Sequence, residues 1–372
     1  MFEYPRFYPD QVVPPDRFGD RENQLRQIDH TLQAVKERRP RGGMICGERG
    51  IGKTSLLDKT EDMCLKRHIL PLHIALHEFE NVKEFYDTIF EEMGSALKKI
   101  GLWEKLNAVL GEFRKDWDYV VRVEKRPRTL QGEVDARLSM LLEKMKKRGY
   151  QSLVFLLDES DGLKKHVVSL QILRNVWTGL CQRGYQLGFF FAGSENLVEN
   201  LGQYSPLKRH CVPIHLKPFG KEECFAVISK LEEGAKHKLP EPVKLRIAEL
   251  SGGYPHHIHV LGDYAVQAMR DGKDDMWSEA FKNYLLEINE YEHVIEQAGR
   301  ISETQRRVLT HMSPFEPSTP KMIAKKSGVS QTTLPVQLQR LVQNKAVKKI
   351  GRGDYEILDR DLAEYLRLNH RS

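Results

Sequence analysis

The sequence predicts an α/β protein: a parallel sheet with helices on both faces, then an all-helical segment, then a small C-terminal unit of helices and a hairpin. Three observations predict it. Short apolar runs alternate with helical stretches over roughly the first 219 residues, which argues for parallel strands joined by crossover helices. One of these runs, Met44-Ile45-Cys46, leads directly into Gly47-Glu48-Arg49-Gly50-Ile51-Gly52-Lys53-Thr54, and a helical stretch follows. From Lys221 onward the strand signal stops, and apolar residues recur only at helical spacing until a last unit begins near Ile301.

Taken in order, residues 1–17 are rich in proline and aromatics (Pro5, Pro9, Pro14, Pro15; Phe2, Tyr4, Phe7, Tyr8) and read as an extended arm. Helical spacing then appears at Leu25, Ile28, Leu32 and Val35. The run Gly47 to Thr54 has the spacing G-x-x-x-x-G-K-[ST], and its place between a strand and a helix is the context a phosphate-binding loop requires. Backbone N–H groups of Gly47, Glu48, Arg49, Gly50, Ile51, Gly52, Lys53, Thr54 and Ser55 would curl around phosphates, helped by the helix N-terminus. Lys53 would reach the β- and γ-phosphates, and Thr54 would offer its hydroxyl to Mg²⁺. This predicts a nucleoside triphosphate, ATP, as ligand.

Further strands are predicted at 69–76, 153–157, 187–192 and 212–216. Residues 81–149 exceed one crossover and are predicted to hold two or three helices, with a basic loop near Lys125-Arg126-Pro127-Arg128. The third strand ends in Asp158-Glu159, which fits a Walker B site. There Asp158 would hold Mg²⁺ and Glu159 would polarise the attacking water, which points to hydrolysis. The fourth strand ends at Gly193-Ser194-Glu195, where Ser194 could meet the attacking water or the γ-phosphate. Helical stripes follow at Phe225, Ile228, Leu231; at Val243, Ile247, Leu250; and at Ile258, Leu261, Ala265. The histidines His256, His257 and His259 lack a nearby carboxylate or cysteine at ligand spacing, and Pro255 already explains a helix start.

Composition bounds the function. The 372 residues suffice for two or three domains. Hydrophobic residues make up 40% and charged residues 30%, and no apolar run approaches a membrane span. The N-terminus has no basic-then-apolar signal pattern, and the five cysteines show no CxxC spacing, so a cytoplasmic protein with reduced thiols is expected. Net charge is +6, and residues 300–372 carry 14 Lys+Arg against 7 Asp+Glu. The basic excess thus lies in the last fifth of the chain, where it favours an anionic partner, nucleic acid first.

The ordered set of motifs resembles the AAA+ ATPases, in the branch holding the STAND ATPases and archaeal origin-recognition-like proteins. Arg17-Phe18-Gly19-Asp20-Arg21-Glu22 is similar to the family's apolar-G-R-E entry motif by the adenine, with Asp20 intervening where the family has glycine next to Arg-Glu. The resemblance implies nucleotide contacts for Phe18, Arg21 and Pro255, the last within the lid motif Gly253-Tyr254-Pro255. It also implies a trans-acting arginine at Arg209, within Ser205-Pro206-Leu207-Lys208-Arg209. Where many relatives carry a lid arginine, this chain has Pro255-His256-His257. The implied domains are the arm at 1–17, a P-loop NTPase (AAA+) core at 18–219, a helical lid at 220–297 and a C-terminal winged-helix domain at 298–372.

The last assignment rests on a helix-helix-turn-helix-strand-turn-strand order that resembles winged helices over about residues 301–368. Opposite the buried Leu334, Leu338 and Leu341, the third helix presents Thr332, Thr333, Val336, Gln339 and Arg340 to a major groove. Lys348, Lys349 and Arg352 on the wing would contact phosphates. Pro335 lies too deep for a helix capped by Ser330, so the helix either starts nearer Thr333 or is kinked.

These readings predict an ATP-hydrolysing, Mg²⁺-dependent switch that binds double-stranded DNA and controls a DNA-bound assembly of origin, transposition or loader type. ATP would bind between core and lid and favour a homo-oligomer, with a further protein partner possible and no membrane contact. The alternative is a STAND-type signalling or defence scaffold whose winged helix contacts protein; the lid motif favours it, and the lack of a following repeat sensor counts against it. A small-molecule kinase suits neither Glu159 nor the basic tail.

Overall fold

The computed structural model describes residues 2–9, 11–76, 82–99, 127–146, 149–165, 167–202, 206–351 and 353–369. It divides into two compact units, Val12–Lys217, and Met1–Gln11 together with Pro218–Ser372.

The first unit is built on five strands: β1 (Gly42–Cys46), β2 (Ile69–Ala75), β3 (Ser152–Asp158), β4 (Gln186–Gly193) and β5 (Cys211–His215). All pair in parallel, in the order β2-β3-β4-β1-β5. β1 and β3 are buried at every position, the mark of strands covered on both faces. The covering helices are α1 (Glu22–Lys36), α2 (Lys53–Lys66), α3 (Val82–Lys99), α4 (Pro127–Lys146), α5 (Val167–Gln182) and α6 (Leu197–Gly202), with 3₁₀ turns at Ser160–Lys165 and Pro206–Arg209. The sheet centre is aromatic. Phe155 stacks on Phe189 with centroids 4.8 Å apart, and Trp177 meets Phe189 edge-on at 5.0 Å. The Trp177 indole N–H donates to the Leu187 carbonyl at 2.7 Å, so its polar atom is satisfied inside the core. Truncating one of these phenylalanines to alanine would cost about 3–5 kcal/mol.

Register decides what the sheet presents. Cys46 of β1 lies beside Gly193 of β4, and Leu157 of β3 beside Phe191 of β4. The carboxyl ends of these three strands therefore deliver the phosphate-loop residues, Asp158-Glu159 and Ser194 to the same edge of the sheet.

The second unit holds α7 (Lys221–Leu231), α8 (Glu241–Ser251), α9 (Pro255–Arg270), α10 (Met276–Glu287) and α11 (Tyr291–Arg300), then α12 (Glu303–His311), α13 (Pro320–Ser327), α14 (Leu334–Gln343), the antiparallel hairpin β6 (Val347–Ile350) and β7 (Asp354–Ile357), and α15 (Arg360–Leu368). Local chemistry sets its helix starts. Ser302 and Gln305 form a reciprocal capping box before α12, with distances of 2.9 and 3.3 Å. Thr319 caps α13, where Pro320 takes the first turn. α14 begins after Thr333, which puts Pro335 in the first turn where its missing N–H costs nothing, so the later of the two starts is the one adopted. α15 lies beyond the hairpin and was not anticipated, although its Asp359 cap and the spacing of Leu362, Ala363 and Leu366 are legible.

Two joints make this unit one body. Glu364 of α15 is buried and accepts from the Trp277 indole (2.8 Å), Arg246 (3.0 Å) and Arg367 (3.3 Å), which ties the C-terminal helices to the lid helices. The amino-terminal residues are the second joint. Phe2 exchanges backbone hydrogen bonds with Gly234 and Lys236 at 2.8 and 2.9 Å. The Phe7 ring lies so close to Gly262 of α9 that a Cβ there would fall 2.2 Å from it. Residues 2–9 are thus a strap packed on the lid helices, while residues from Val12 onward belong to the sheet unit.

Candidate functional site

The phosphate loop takes the shape its glycines permit. Gly50 and Gly52 have φ of 77° and 93°, left-handed conformations that favour glycine. The loop also packs tightly, since a Cβ on Gly47 would lie 2.8 Å from Ile51 Cγ2. Ile51 is buried, whereas Glu48, Arg49 and Gly50 are exposed, and Gly52, Lys53, Thr54 and Ser55 are half-buried. Lys53 Nζ donates to the carbonyls of Gly47 (3.0 Å) and Glu48 (2.7 Å), which holds the ammonium over the loop.

The Thr54 hydroxyl donates to Asp158 Oδ2 at 2.7 Å, although the two residues are far apart in sequence. Together they form an all-oxygen donor pair at the edge of the loop, the chemistry Mg²⁺ takes. Asp158 Oδ1 accepts the Glu159 N–H at 2.9 Å. Glu159 has φ 53°, a left-handed conformation unusual for glutamate, and its side chain is exposed while Asp158 is buried. The turn thus sends two adjacent carboxylates to different environments. Ser194 is half-buried at the end of β4, and its N–H and hydroxyl both donate to Asp161, at 2.6 and 2.7 Å. Nothing in the sequence reading singled out Asp161; the only signal was a third acidic residue shortly after the Walker B pair.

Arg21 is 8% exposed and caps α1 with φ 71°. Its guanidinium donates to the Lys217 carbonyl (2.6 Å) and the Ile51 carbonyl (3.3 Å), so it clamps the phosphate loop to the last residue of the unit. Asp20 precedes it at φ 60°, and one of its carboxylate oxygens is buried without a partner. A left-handed residue at this position gives the physical reason for the family's glycine. Phe18 is half-buried.

Arg209 is exposed at the end of the 3₁₀ turn that precedes β5. The phosphate loop leaves the opposite end of the neighbouring β1, and the register Gly42 to Cys211 fixes this polarity. A five-residue strand spans about 16 Å, so Arg209 lies beyond reach of its own chain's loop. Pro255 occupies the first turn of α9 in the second unit. The histidines that follow diverge. His257 meets the Tyr284 hydroxyl at 3.1 Å, His259 Nδ1 accepts the Tyr8 N–H at 3.3 Å, and His256 is exposed. His73 sits between Asp58 (3.2 Å) and Glu61 (3.3 Å). Burial lowers its pKa, but the two carboxylates outweigh this and raise it to about 9. All five cysteines are buried thiols, and burial pushes Cys46 up to about 11.

In the C-terminal unit, Thr332, Thr333, Val336, Gln339 and Arg340 are all exposed, while Leu334, Leu338 and Leu341 are buried. Lys348 and Lys349 are exposed, but they alternate along β6, and Lys348 is paired with Glu356 at 3.1 Å. Arg352 lies outside the described residues. Lys321, Lys325, Lys326 and Lys345 are also exposed and extend the positive surface beyond the residues read from the sequence.

The fold and this edge of the sheet define a P-loop ATPase of the AAA type. Residues 36–201 match the family described as "AAA domain", and this stretch of the chain is an AAA domain. Several solved structures are similar to it over nearly the whole chain. Cdc6p from Pyrobaculum aerophilum is 15% identical with a TM-score of 0.55, covering 98% of this chain and 96% of that one. The Walker-type ATPase PABY2304 of Pyrococcus abyssi is 18% identical, with a TM-score of 0.49 and coverage of 97% and 100%. The Aeropyrum pernix Orc1 protein, solved in complex with DNA, is 17% identical, with a TM-score of 0.47 and coverage of 98% and 95%. At these identities the likeness to Cdc6p speaks for the fold alone. No curated protein matches the sequence. Among the described residues no helix is long and apolar enough to cross a membrane.

Proposed function

We propose that this protein is an ATP-hydrolysing switch that binds duplex DNA through its C-terminal winged helix and controls an assembly on that DNA. The phosphate loop's N–H groups and Lys53 hold the β- and γ-phosphates, and Thr54 with Asp158 holds Mg²⁺. The metal, when bound, supplies positive charge beside the γ-phosphate. Glu159, exposed on its left-handed turn, accepts a proton from the attacking water.

The observation that carries the DNA reading is the face of α14. With the turn that leads into it, α14 offers two hydroxyls, an amide, a guanidinium and one apolar side chain at exposed positions, the side-chain set that reads base edges and phosphates. Exposed lysines on α13 and β6 flank it in sequence and supply phosphate contacts.

The test is binding to duplex DNA across a salt series, with and without MgATP, for the wild type and for Lys53→Ala and Glu159→Gln. Steep weakening with salt is expected, together with ATP binding but no cleavage in Glu159→Gln and neither in Lys53→Ala. Negligible, salt-independent binding in every nucleotide state would refute the DNA reading and leave the winged helix as a protein-contact module.

A further inference from the structure

We propose that Asp161 is a positioning residue for ATP hydrolysis: it holds Ser194 at the reacting edge of the sheet and affects turnover through that serine. The assignment rests on the ATPase reading above. Asp161 lies in the 3₁₀ turn Ser160–Lys165, just after the Walker B pair. One carboxylate oxygen accepts the Ser194 backbone N–H at 2.6 Å, and the other accepts its hydroxyl at 2.7 Å. Asn200 reaches that second oxygen at 3.5 Å. A carboxylate accepting several hydrogen bonds of this kind is held firmly, because charge-assisted bonds are shorter and stronger than neutral ones.

The neighbouring glycine supports the same assignment independently. A Cβ on Gly193 would fall 2.7 Å from Asp161 Oδ2 and 3.0 Å from Leu197 Cδ1. Gly193 is not among the residues of positive φ, so its backbone does not demand glycine. What the position requires is space, and the carboxylate of Asp161 is what fills it.

The hydrogen bonds also fix a chemical role. A serine hydroxyl has one proton to donate and lone pairs to accept with. Ser194 gives its proton to Asp161, so it faces the rest of the site as an acceptor only. It can take a hydrogen bond from a water molecule, but it cannot donate to a phosphate oxygen while the bond to Asp161 lasts. The acids that follow β3 are thereby divided: Glu159 is free to take the proton of the water, and Asp161 is committed to the serine that orients it.

The experiment is a double-mutant cycle in the full-length protein, measuring kcat and KM for MgATP and the affinity for a fluorescent ATP analogue. Asp161→Ala should lower kcat about 10-fold or more, the scale of a misplaced supporting group, with KM and analogue affinity within about 2-fold. Combined with Ser194→Ala it should do no more than the worse single change, because the two act as one. Gly193→Ala, which displaces the carboxylate without removing it, should reproduce the loss and carries the test if Asp161→Ala does not fold. Multiplicative losses in the double variant, or wild-type kcat in both Asp161→Ala and Gly193→Ala, would overturn the assignment. Wild-type turnover no greater than that of Lys53→Ala would overturn the ATPase reading instead.

Discussion

His259 should make the stability of the second unit depend on acid, in a direction the structure fixes. Its imidazole is 4% exposed, with Phe7 and Tyr8 edge-on at 6.2 and 6.1 Å. Nδ1 accepts the Tyr8 N–H, so it must be unprotonated for the strap to dock this way. Burial first, and the charge of His256 second, lower its pKa from 6.5 to about 4. The unfolded chain therefore binds a proton near 6.5 and the folded chain only near 4. The stabilisation is complete above 6.5, falls away as pH drops through this window, and is gone below about 4. The gap is worth about 3 kcal/mol in full and about 2 kcal/mol by pH 4.5. Asp361 works in the opposite sense. Burial, then Asp359 and Glu290, push it from 3.8 to about 7, so the folded form keeps a proton that the unfolded form gives up. The two effects offset each other in the wild type, and a variant is needed to separate them. His259→Gln removes the titrating ring but leaves a carbonyl for the Tyr8 N–H. Hydrogen exchange of peptides spanning α9, corrected for intrinsic rates, should show the wild type losing about 2 kcal/mol relative to the variant between pH 7 and 4.5. Parallel pH profiles for the two proteins would refute the reasoning.

Four other substitutions test three separate parts of the structure. Asp20→Gly relieves a left-handed aspartate and removes a buried carboxylate oxygen without a partner; thermal unfolding should show a gain of about 1 kcal/mol, and a loss would mean that Asp20 has a role beyond the turn. Arg209→Ala should lower turnover only where subunits associate, because the arginine cannot reach its own phosphate loop; a wild-type rate per subunit that is independent of protein concentration would exclude the trans role. Lys349→Ala should weaken DNA binding and shallow its salt slope by about one unit, whereas Lys348→Ala, already paired with Glu356, should do less; equal effects would show that the pair opens on DNA.

Much of the fold was legible because the central strands β1, β3 and β4 are short apolar runs, the pattern of parallel strands covered on both faces. The phosphate loop and Asp158-Glu159 were legible because their chemistry demands fixed residue types beside strands. What could not be read depends on contacts between distant residues. The strap has no period of its own, and its meaning lies in Phe7 meeting Gly262. Lys348 looked like a phosphate contact until the hairpin register placed Glu356 opposite it. Asp161 resembled any acid in a turn, because its partner lies on another strand. Arg21 matched an adenine-side motif, yet its guanidinium is engaged by two backbone carbonyls, a role no local pattern encodes.

The strap also changes what kind of chain this is. Because residues 2–9 dock on helices that follow Pro218, the nucleotide-binding core is an insertion within a discontinuous domain. During synthesis the core can complete its sheet before α9 exists, and Phe7 and Tyr8 must wait until that helix appears. Closing so long an interval costs only logarithmically more entropy than closing a short one. The strap thus precedes the core in synthesis and docks after it, so the lid's completion reports that everything between has already been made.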